Sequence, residues 1–531
     1  MAETGGPSSP EAKANRPRPI RNVLSNWGVF VFSTIANFFV APFVVHSLGN
    51  AAYGAWVLLG SLVGYLGLLD LGVRGAITRF VSRLHATADH EGAARFASAG
   101  LFLFSVSATI AILAGLGLAA VLDRLFEIPP ALLPQARIAV ILIACTIALA
   151  LLGGLYGGVV TAMQRFELNG ATEIAVEAVR ITAVVLALRS GEGLVALAAI
   201  HLGCGILRFV IFFVLSRRVY PKLRIVRGRW KRSELRQVFG FSLASTALQG
   251  AGTVIMQLDA IVIGAFLPVA MVTYFAIAGT LSRYGKAVVN GISYTVPPRV
   301  SAQQGRGDME GARRTGLLGG RVASLVHLPI VATFLVRGGT FIGLWMGAEY
   351  VDLSGRVLVI LSLAYWFMAG RQIMVTTLMG LNRHGSLIPV MWAEAVLNVG
   401  LSVALVRPLG VIGVALGTTV PSLLLTPTAY PLLFSRVLAI PPARVWRDLW
   451  LRPTLAVLPF LLASLAFERL TTPTSLVGFF AQILAVLPVA AAGAWWVGLR
   501  REERVTAGQF APPWLRRIAA PKGAWRVAAD E

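Results

Sequence analysis

Val81-Ser82-Arg83-Leu84-His85-Ala86-Thr87-Ala88-Asp89-His90-Glu91-Gly92-Ala93-Ala94-Arg95 returns in outline further along the chain. The later copy is Val300-Ser301-Ala302-Gln303-Gln304-Gly305-Arg306-Gly307-Asp308-Met309-Glu310-Gly311-Ala312-Arg313-Arg314. Both hold Val-Ser followed by Asp-x-Glu-Gly-Ala-x-Arg. Five more matches flank this one. Arg21-Asn22-Val23 pairs with Arg236-Gln237-Val238, and Leu48-Gly49 with Ile263-Gly264. Thr161-x-Met163 pairs with Thr377-x-Met379, and Glu177-Ala178-Val179 with Glu394-Ala395-Val396. The run from Gly193 (Gly-Leu-Val-Ala-Leu-Ala) pairs with that from Gly410 (Gly-Val-Ile-Gly-Val-Ala). Six matches in one order, at offsets of roughly 215–219 residues, define an internal repeat.

The sequence around the repeat is apolar. Of 531 residues, 56% are hydrophobic and only 13% charged, and the mean hydropathy is +0.74. Soluble domains carry about 25% charged residues, so an ordinary soluble enzyme is excluded. A helix needs about 20 apolar residues to cross a bilayer. Reading for such runs gives fourteen spans: 22–48, 53–80, 97–121, 133–160, 169–188, 193–215, 237–265, 270–297, 316–345, 355–380, 386–406, 411–435, 452–470 and 475–498.

The net charge of +23 comes from 47 Lys+Arg against 24 Asp+Glu. With the N-terminus placed in the cytoplasm, the inside segments hold 33 of those cations and the outside loops 6. That asymmetry predicts cytoplasmic N- and C-termini. Nucleic-acid binding, the other use of basicity, would need a basic soluble stretch of domain size, and there is none.

Each repeat holds six spans, an even number, so both halves run the same way through the membrane. Parallel repeats are a transporter architecture with the substrate site between the halves. The expected fold is all-α and polytopic, with two pseudo-symmetric six-helix bundles plus an extra helix pair. The bundles cover 22–215 and 237–435, joined by a basic cytoplasmic linker, 216–236. The appended pair falls in 436–498. A disordered tail, 1–21, and a cytoplasmic tail, 499–531, complete the chain.

The stretch Leu48-Gly49-Asn50-Ala51-Ala52-Tyr53-Gly54-Ala55-Trp56, continuing to Gly64-Tyr65-Leu66-Gly67-Leu68-Leu69-Asp70-Leu71-Gly72, adds a resemblance. With the repeat and the basic loop Arg79, Arg83 and Arg95, it resembles the Wzx-type oligosaccharide flippases of polysaccharide biosynthesis. These belong to the multidrug/oligosaccharidyl-lipid/polysaccharide (MOP) exporter superfamily. The resemblance covers 21–435 and implies a MATE-like fold in a bacterial inner membrane. It implies movement of polyprenyl pyrophosphate-linked oligosaccharide between leaflets by alternating access, without ATP hydrolysis. It implies membrane lipids and polysaccharide polymerase or export machinery as partners. A coupling ion, proton or sodium, is left open, and no cofactor is expected. Many drug exporters of the superfamily carry an aspartate in the first helix; this chain has only Asn26 and Asn37 there, which weighs against the exporter reading.

Ionisable groups inside spans cost about 2.5–3.5 kcal/mol each on insertion scales and mark function by default. Deep in the spans lie eight cations, Arg74, Arg180, Arg208, Arg283, Lys286, Arg321, Arg337 and Arg371. Five acids accompany them, Asp70, Glu173, Glu177, Asp259 and Glu394. Arg208, Arg321 and Arg337 lie near span ends and are expected to snorkel. Arg283 and Lys286, at i and i+3, share a face. With Arg371, Arg180 and Arg74 they form the expected cationic substrate site, since guanidinium groups bind phosphate oxygens in pairs. The opposing reading is that each cation is neutralised by a neighbouring acid. Asp70 and Arg74 are spaced to pair, as are Glu177 and Arg180. Glu177, Glu394, Glu173, Asp70 and Asp259 are the coupling candidates. Glu173 and Glu177 would share one cation, and Glu177 would face Glu394 across the pseudo-two-fold axis.

The linker, with nine cations around Trp230, reads as a segment on anionic headgroups. No Walker A, HExxH, GxSxG or paired-cysteine metal motif occurs. The alternatives are an ion-coupled small-molecule exporter of the same fold and, more remotely, a membrane glycan polymerase or ligase.

Overall fold

The computed structural model describes residues 19–225, 228 and 230–504; within them, the side chains of 19–27, 29–31 and 239–249 are not described. Most of the N-terminal tail, residues 505–531 of the C-terminal tail with Trp514 and Trp525, and linker residues Arg227 and Arg229 lie outside the described residues. Among the described residues every regular element is helical. The first half holds α1 (Pro19–Leu66), α2 (Val73–Ala86), α3 (His90–Leu125), α4 (Leu133–Ala162), α5 (Phe166–Arg189) and α6 (Leu194–Val219). Next come α7 (Arg232–Phe266), α8 (Ala270–Ser293), α9 (Val296–Gly305), α10 (Met309–Trp345), α11 (Val351–Trp366), α12 (Met368–Gly380) and α13 (Ile388–Leu425). The chain ends through α14 (Ala429–Leu438), α15 (Pro442–Trp446), α16 (Arg452–Leu470) and α17 (Leu476–Gly493).

Among the described residues eight helices are long and apolar enough to cross a membrane, nine if the bent pair Ala348–Trp366 and Met368–Gly380 counts as one crossing. Length and composition therefore support eight or more spans and do not establish fourteen. Two of the eight, Phe32–Ala86 and His384–Leu438, are 55 residues long. At 1.5 Å per residue each exceeds two crossings of a ~30 Å core. Each is interrupted by a glycine of positive φ, Gly49 at 75° and Gly410 at 60°. A left-handed residue ends a helix, and glycine takes that conformation without a Cβ penalty. Helices α5 and α8 are less apolar because they carry charge mid-helix, at Glu173, Glu177 and Arg180 and at Arg283 and Lys286.

The repeat is present as local structure. Asp89 caps α3, its Oδ1 accepting the Gly92 N–H at 2.7 Å with φ/ψ of −81°/76°. Asp308 caps α10 in the same way, accepting the Gly311 N–H at 2.7 Å with −81°/75°. Capping satisfies a backbone donor that the first helical turn cannot. The second helix of each repeat is also broken. In the first, a 3-10 turn over Gly67–Asp70 leads into two left-handed residues, Leu71 and Gly72. In the second, α8 ends at Ser293 and α9 resumes at Val296. The expected continuous helix over 53–80 is therefore two pieces.

The chain forms two compact units, Met1–Thr273 and Tyr274–Glu531. The first contains α7, which the repeat counts with the second bundle. Arg95 binds Glu234 of α7 at 2.8 Å, and Thr273 Oγ1 donates to the Asn50 carbonyl at 2.7 Å. The Tyr53-Gly54 pair has a packing role here, since a Cβ on Gly54 would stand 2.1 Å from the Val269 carbonyl oxygen. The core of this unit gathers Ile77, Val81, Ala93, Ala97, Leu155 and Val159 between α2, α3 and α4. The core of the second gathers Val300, Leu317, Ile373, Phe434, Leu449 and Trp450. In the linker, Trp230 packs on Phe102 with ring centroids 4.9 Å apart.

Candidate functional site

In the second unit, α11 and α12 bend by 43° at Phe367, and Arg371 lies one turn beyond the bend. Its Nη1 donates to both carboxylate oxygens of Glu394, at 2.7 and 2.9 Å. Tyr430 of α14 donates its hydroxyl to Glu394 Oε2 at 3.0 Å, and its ring lies 5.5 Å from the Arg371 guanidinium. Glu394 is 2% exposed. Burying a carboxylate costs several kcal/mol of desolvation, which its cation and hydrogen bonds offset. Lys286 is within electrostatic reach of both Arg371 and Glu394. Arg283, one turn earlier on α8, is exposed and donates to Thr280 Oγ1 at 2.6 Å. The formal charges of Arg283, Lys286, Arg371 and Glu394 sum to +2, with Lys286 near the Arg371–Glu394 pair and Arg283 one turn from Lys286 on α8.

The first unit holds a separate set. Arg180 binds Glu177 through Nε at 2.8 Å, and Asn37 of α1 closes the group. Asn37 Nδ2 donates to Glu177 Oε1 at 2.8 Å, while its carbonyl oxygen accepts from Arg180 Nη2 at 2.8 Å. The Trp56 and His201 rings meet edge-on, with centroids 4.8 Å apart. Glu173 does not share Arg180. It binds Arg208 of α6 at 2.9 Å, so each acid of α5 has its own cation and the expected crowding is absent. Arg208 is thus an ion-pair partner, with its side chain 37% exposed.

The expected Asp70–Arg74 ion pair does not form. The break at Leu71-Gly72 removes the continuous helix that i, i+4 pairing requires. Asp70 Oδ1 instead accepts the Arg74 backbone N–H at 3.3 Å. The fifth coupling candidate, Asp259, is buried in α7 and acts electrostatically on Tyr65.

Arg321 and Arg337, expected to snorkel, are instead enclosed by protein. They are 1% and 0% exposed and clamp α10 to the appended helices. Arg321 binds Asp448 at 3.3 Å and also Glu503; Arg500 binds the same aspartate. Arg337 binds Glu468 of α16 at 2.6 Å and Gln482 of α17, and its guanidinium lies 4.7 Å from the Phe479 ring. The sequence reading missed Asn37 as a partner of the charges, and missed Tyr430, Asp448 and Glu468. Only Glu468 gave a signal, an acid within the expected span 452–470. Among the described residues no cluster of His, Cys, Asp or Glu could hold a metal ion.

Several known proteins are similar. The sequence model of the family described as "Polysaccharide biosynthesis protein" matches residues 20–304. The "Putative O-antigen transporter" of Shigella flexneri is 20% identical over 400 residues, 75% of this chain and 93% of that protein. The "Uncharacterized membrane protein EpsK" of Bacillus subtilis (strain 168) is 19% identical over 424 residues, 78% of this chain and 83% of that protein. Among solved structures, the lipid II flippase MurJ in an inward closed conformation superposes with a TM-score of 0.70 at 13% identity, covering 90% of this chain and 98% of that one. An inward-facing multidrug resistance MATE family transporter of the MOP superfamily superposes with a TM-score of 0.65 at 14% identity, covering 78% and 98%. These likenesses confirm the all-helical transporter fold, and the relatives named for an activity are transporters and a flippase, none an enzyme. The family match spans more than half of the chain: this multi-pass membrane protein belongs to the polysaccharide biosynthesis protein family, with the fold of the MOP superfamily.

Proposed function

We propose that the protein is a flippase that moves polyprenyl-(pyro)phosphate-linked oligosaccharide across the bacterial inner membrane by alternating access. The observation that carries this reading is the set Arg283, Lys286, Arg371 and Glu394. Glu394 cancels one of three cations, and the remaining +2 suits a pyrophosphate crossing a low-dielectric region. Arg283 presents an exposed guanidinium for bidentate contact with phosphate oxygens. Lys286 adds a point charge one turn away. Arg371 holds its place through Glu394 and Tyr430 and contributes field more than direct contact. Arg180 is likewise engaged, by Glu177 and Asn37. A transmembrane ion or voltage gradient biases the inward–outward equilibrium, with Glu177 and Glu394 the first coupling candidates. The termini lie in the cytoplasm, and the lipid-linked substrate comes from glycan-assembling enzymes on that side. The appended helix pair is a separate element docked on α10.

The test replaces Arg283 and Lys286 with Ala at matched membrane levels. Surface polysaccharide should fall at least tenfold. Unimpaired polysaccharide, or drug resistance conferred on a sensitive host by the wild-type protein, would instead favour the small-molecule exporter.

A further inference from the structure

The first unit contains a cavity of about 390 Å³ between α4, α5 and α6, with Arg74 of α2 on its wall. That volume lies in the range of about 300–1,000 Å³ typical of small-molecule sites. Two guanidinium groups, Arg74 and Arg208, and one carboxylate, Glu173, line it, for a net charge of +1. Arg208 gives Nη2 to Glu173 at 2.9 Å, but its Nε is buried without a hydrogen-bond partner. Asn169 donates to Thr161 at 2.9 Å and leaves its own carbonyl oxygen buried and unpartnered. Among the described residues the Arg74 guanidinium has no acidic partner. It lies against α4 where Gly154 leaves room, since a Cβ there would come within 3.0–3.4 Å of its guanidinium atoms. Phe209, held edge-on by Tyr156 at 5.6 Å, adds an apolar wall.

Each feature constrains the ligand. Buried polar atoms without partners cost about 1–3 kcal/mol each, so an occupant that satisfies them is favoured. The two guanidinium groups call for an oxyanion. The Asn169 oxygen and Glu173 call for hydroxyl donors. The Phe209 ring calls for an apolar C–H face. An inorganic phosphate lacks the C–H face, and a neutral sugar lacks the oxyanion. A sugar bearing a carboxylate has all three. We propose that this cavity is a saccharide subsite for a uronic-acid-type sugar. The inference rests on the flippase reading for the route by which a sugar reaches it, and adds the chemical class of the glycan.

The test uses the full-length protein in nanodiscs of zwitterionic lipid and saturation-transfer difference NMR with D-glucuronate and D-glucose as probes. Glucuronate ring protons should receive at least five-fold more saturation than those of glucose. Arg74→Gln with Arg208→Gln should abolish the glucuronate signal. Ala150→Phe, which fills the cavity from its α4 wall without touching a charge, should do the same, and guards against misfolding of the first variant. Equal signals from both sugars, a signal that survives Ala150→Phe, or displacement of glucuronate by equimolar inorganic phosphate would each overturn the proposal. The Arg283→Ala/Lys286→Ala protein should keep the glucuronate signal whether or not polysaccharide export is lost. Failure of the subsite and failure of the flippase reading are thus separately visible.

Discussion

Glu394 accepts from Arg371 on both carboxylate oxygens, at 2.7 and 2.9 Å, across 23 positions of sequence. Removing one partner of a buried pair strands the other charge and costs about 3–5 kcal/mol, whereas removing both costs less. Arg371→Gln and Glu394→Gln should each lower the thermal unfolding midpoint of the purified protein. The double variant should recover much of the loss. Additive losses would mean that the two side chains are not coupled.

The clamp at the far end of α10 makes a parallel prediction. Arg337 is fully buried, and its carboxylate partner, Glu468, comes from the appended helices. Arg337→Met should destabilise the protein by about 3–5 kcal/mol through the stranded Glu468. It should also speed limited proteolysis at 471–475, where α16 and α17 join. Arg337→Met with Glu468→Gln should reverse most of both effects.

Helix caps in the two repeats are predicted to be equivalent. Asp89→Ala and Asp308→Ala each remove a cap and should cost about 0.5–2 kcal/mol, read from the shift of unfolding midpoint in detergent. Asn at either position keeps an acceptor and should cost less. Unequal losses would show that the two caps bear different loads despite matching geometry.

Glycine substitutions separate packing from propensity. A Cβ at Gly115 would stand 2.3 Å from the Ala144 Cβ, and one at Gly117 would meet nothing within 4 Å. Gly115→Ala forces α3 from α4 and should destabilise by about 1–3 kcal/mol. Gly117→Ala should be neutral or gain up to about 1 kcal/mol from helix propensity.

Orientation can be read by thiol labelling in intact cells. With Cys145 and Cys204 replaced by Ala, Thr472→Cys should react with an impermeant maleimide and Gln303→Cys only after permeabilisation. The reverse pattern would invert the proposed topology.

The sequence by itself determined the membrane class, the helical fold and the repeat. These depend on local chemistry: apolar runs long enough for a bilayer, cations in alternate loops, and cap residues such as Asp89 and Asp308 that act within one turn. The tertiary structure decided which charges meet. Arg371 and Glu394 are 23 residues apart, Glu173 and Arg208 are 35, and Arg337 and Glu468 are 131. No periodicity encodes those distances. Arg321 and Arg337 sit near span ends, where a lone arginine would reach for water. They are buried because the appended segment sets Asp448 and Glu468 against them. Asp70 and Arg74 have the spacing of a helical pair, yet two left-handed residues between them unwind the helix. The sequence therefore listed most of these charges but not Asp448 or Glu468, and the fold alone sorted them into neutralised pairs and the two sets that keep a net positive charge.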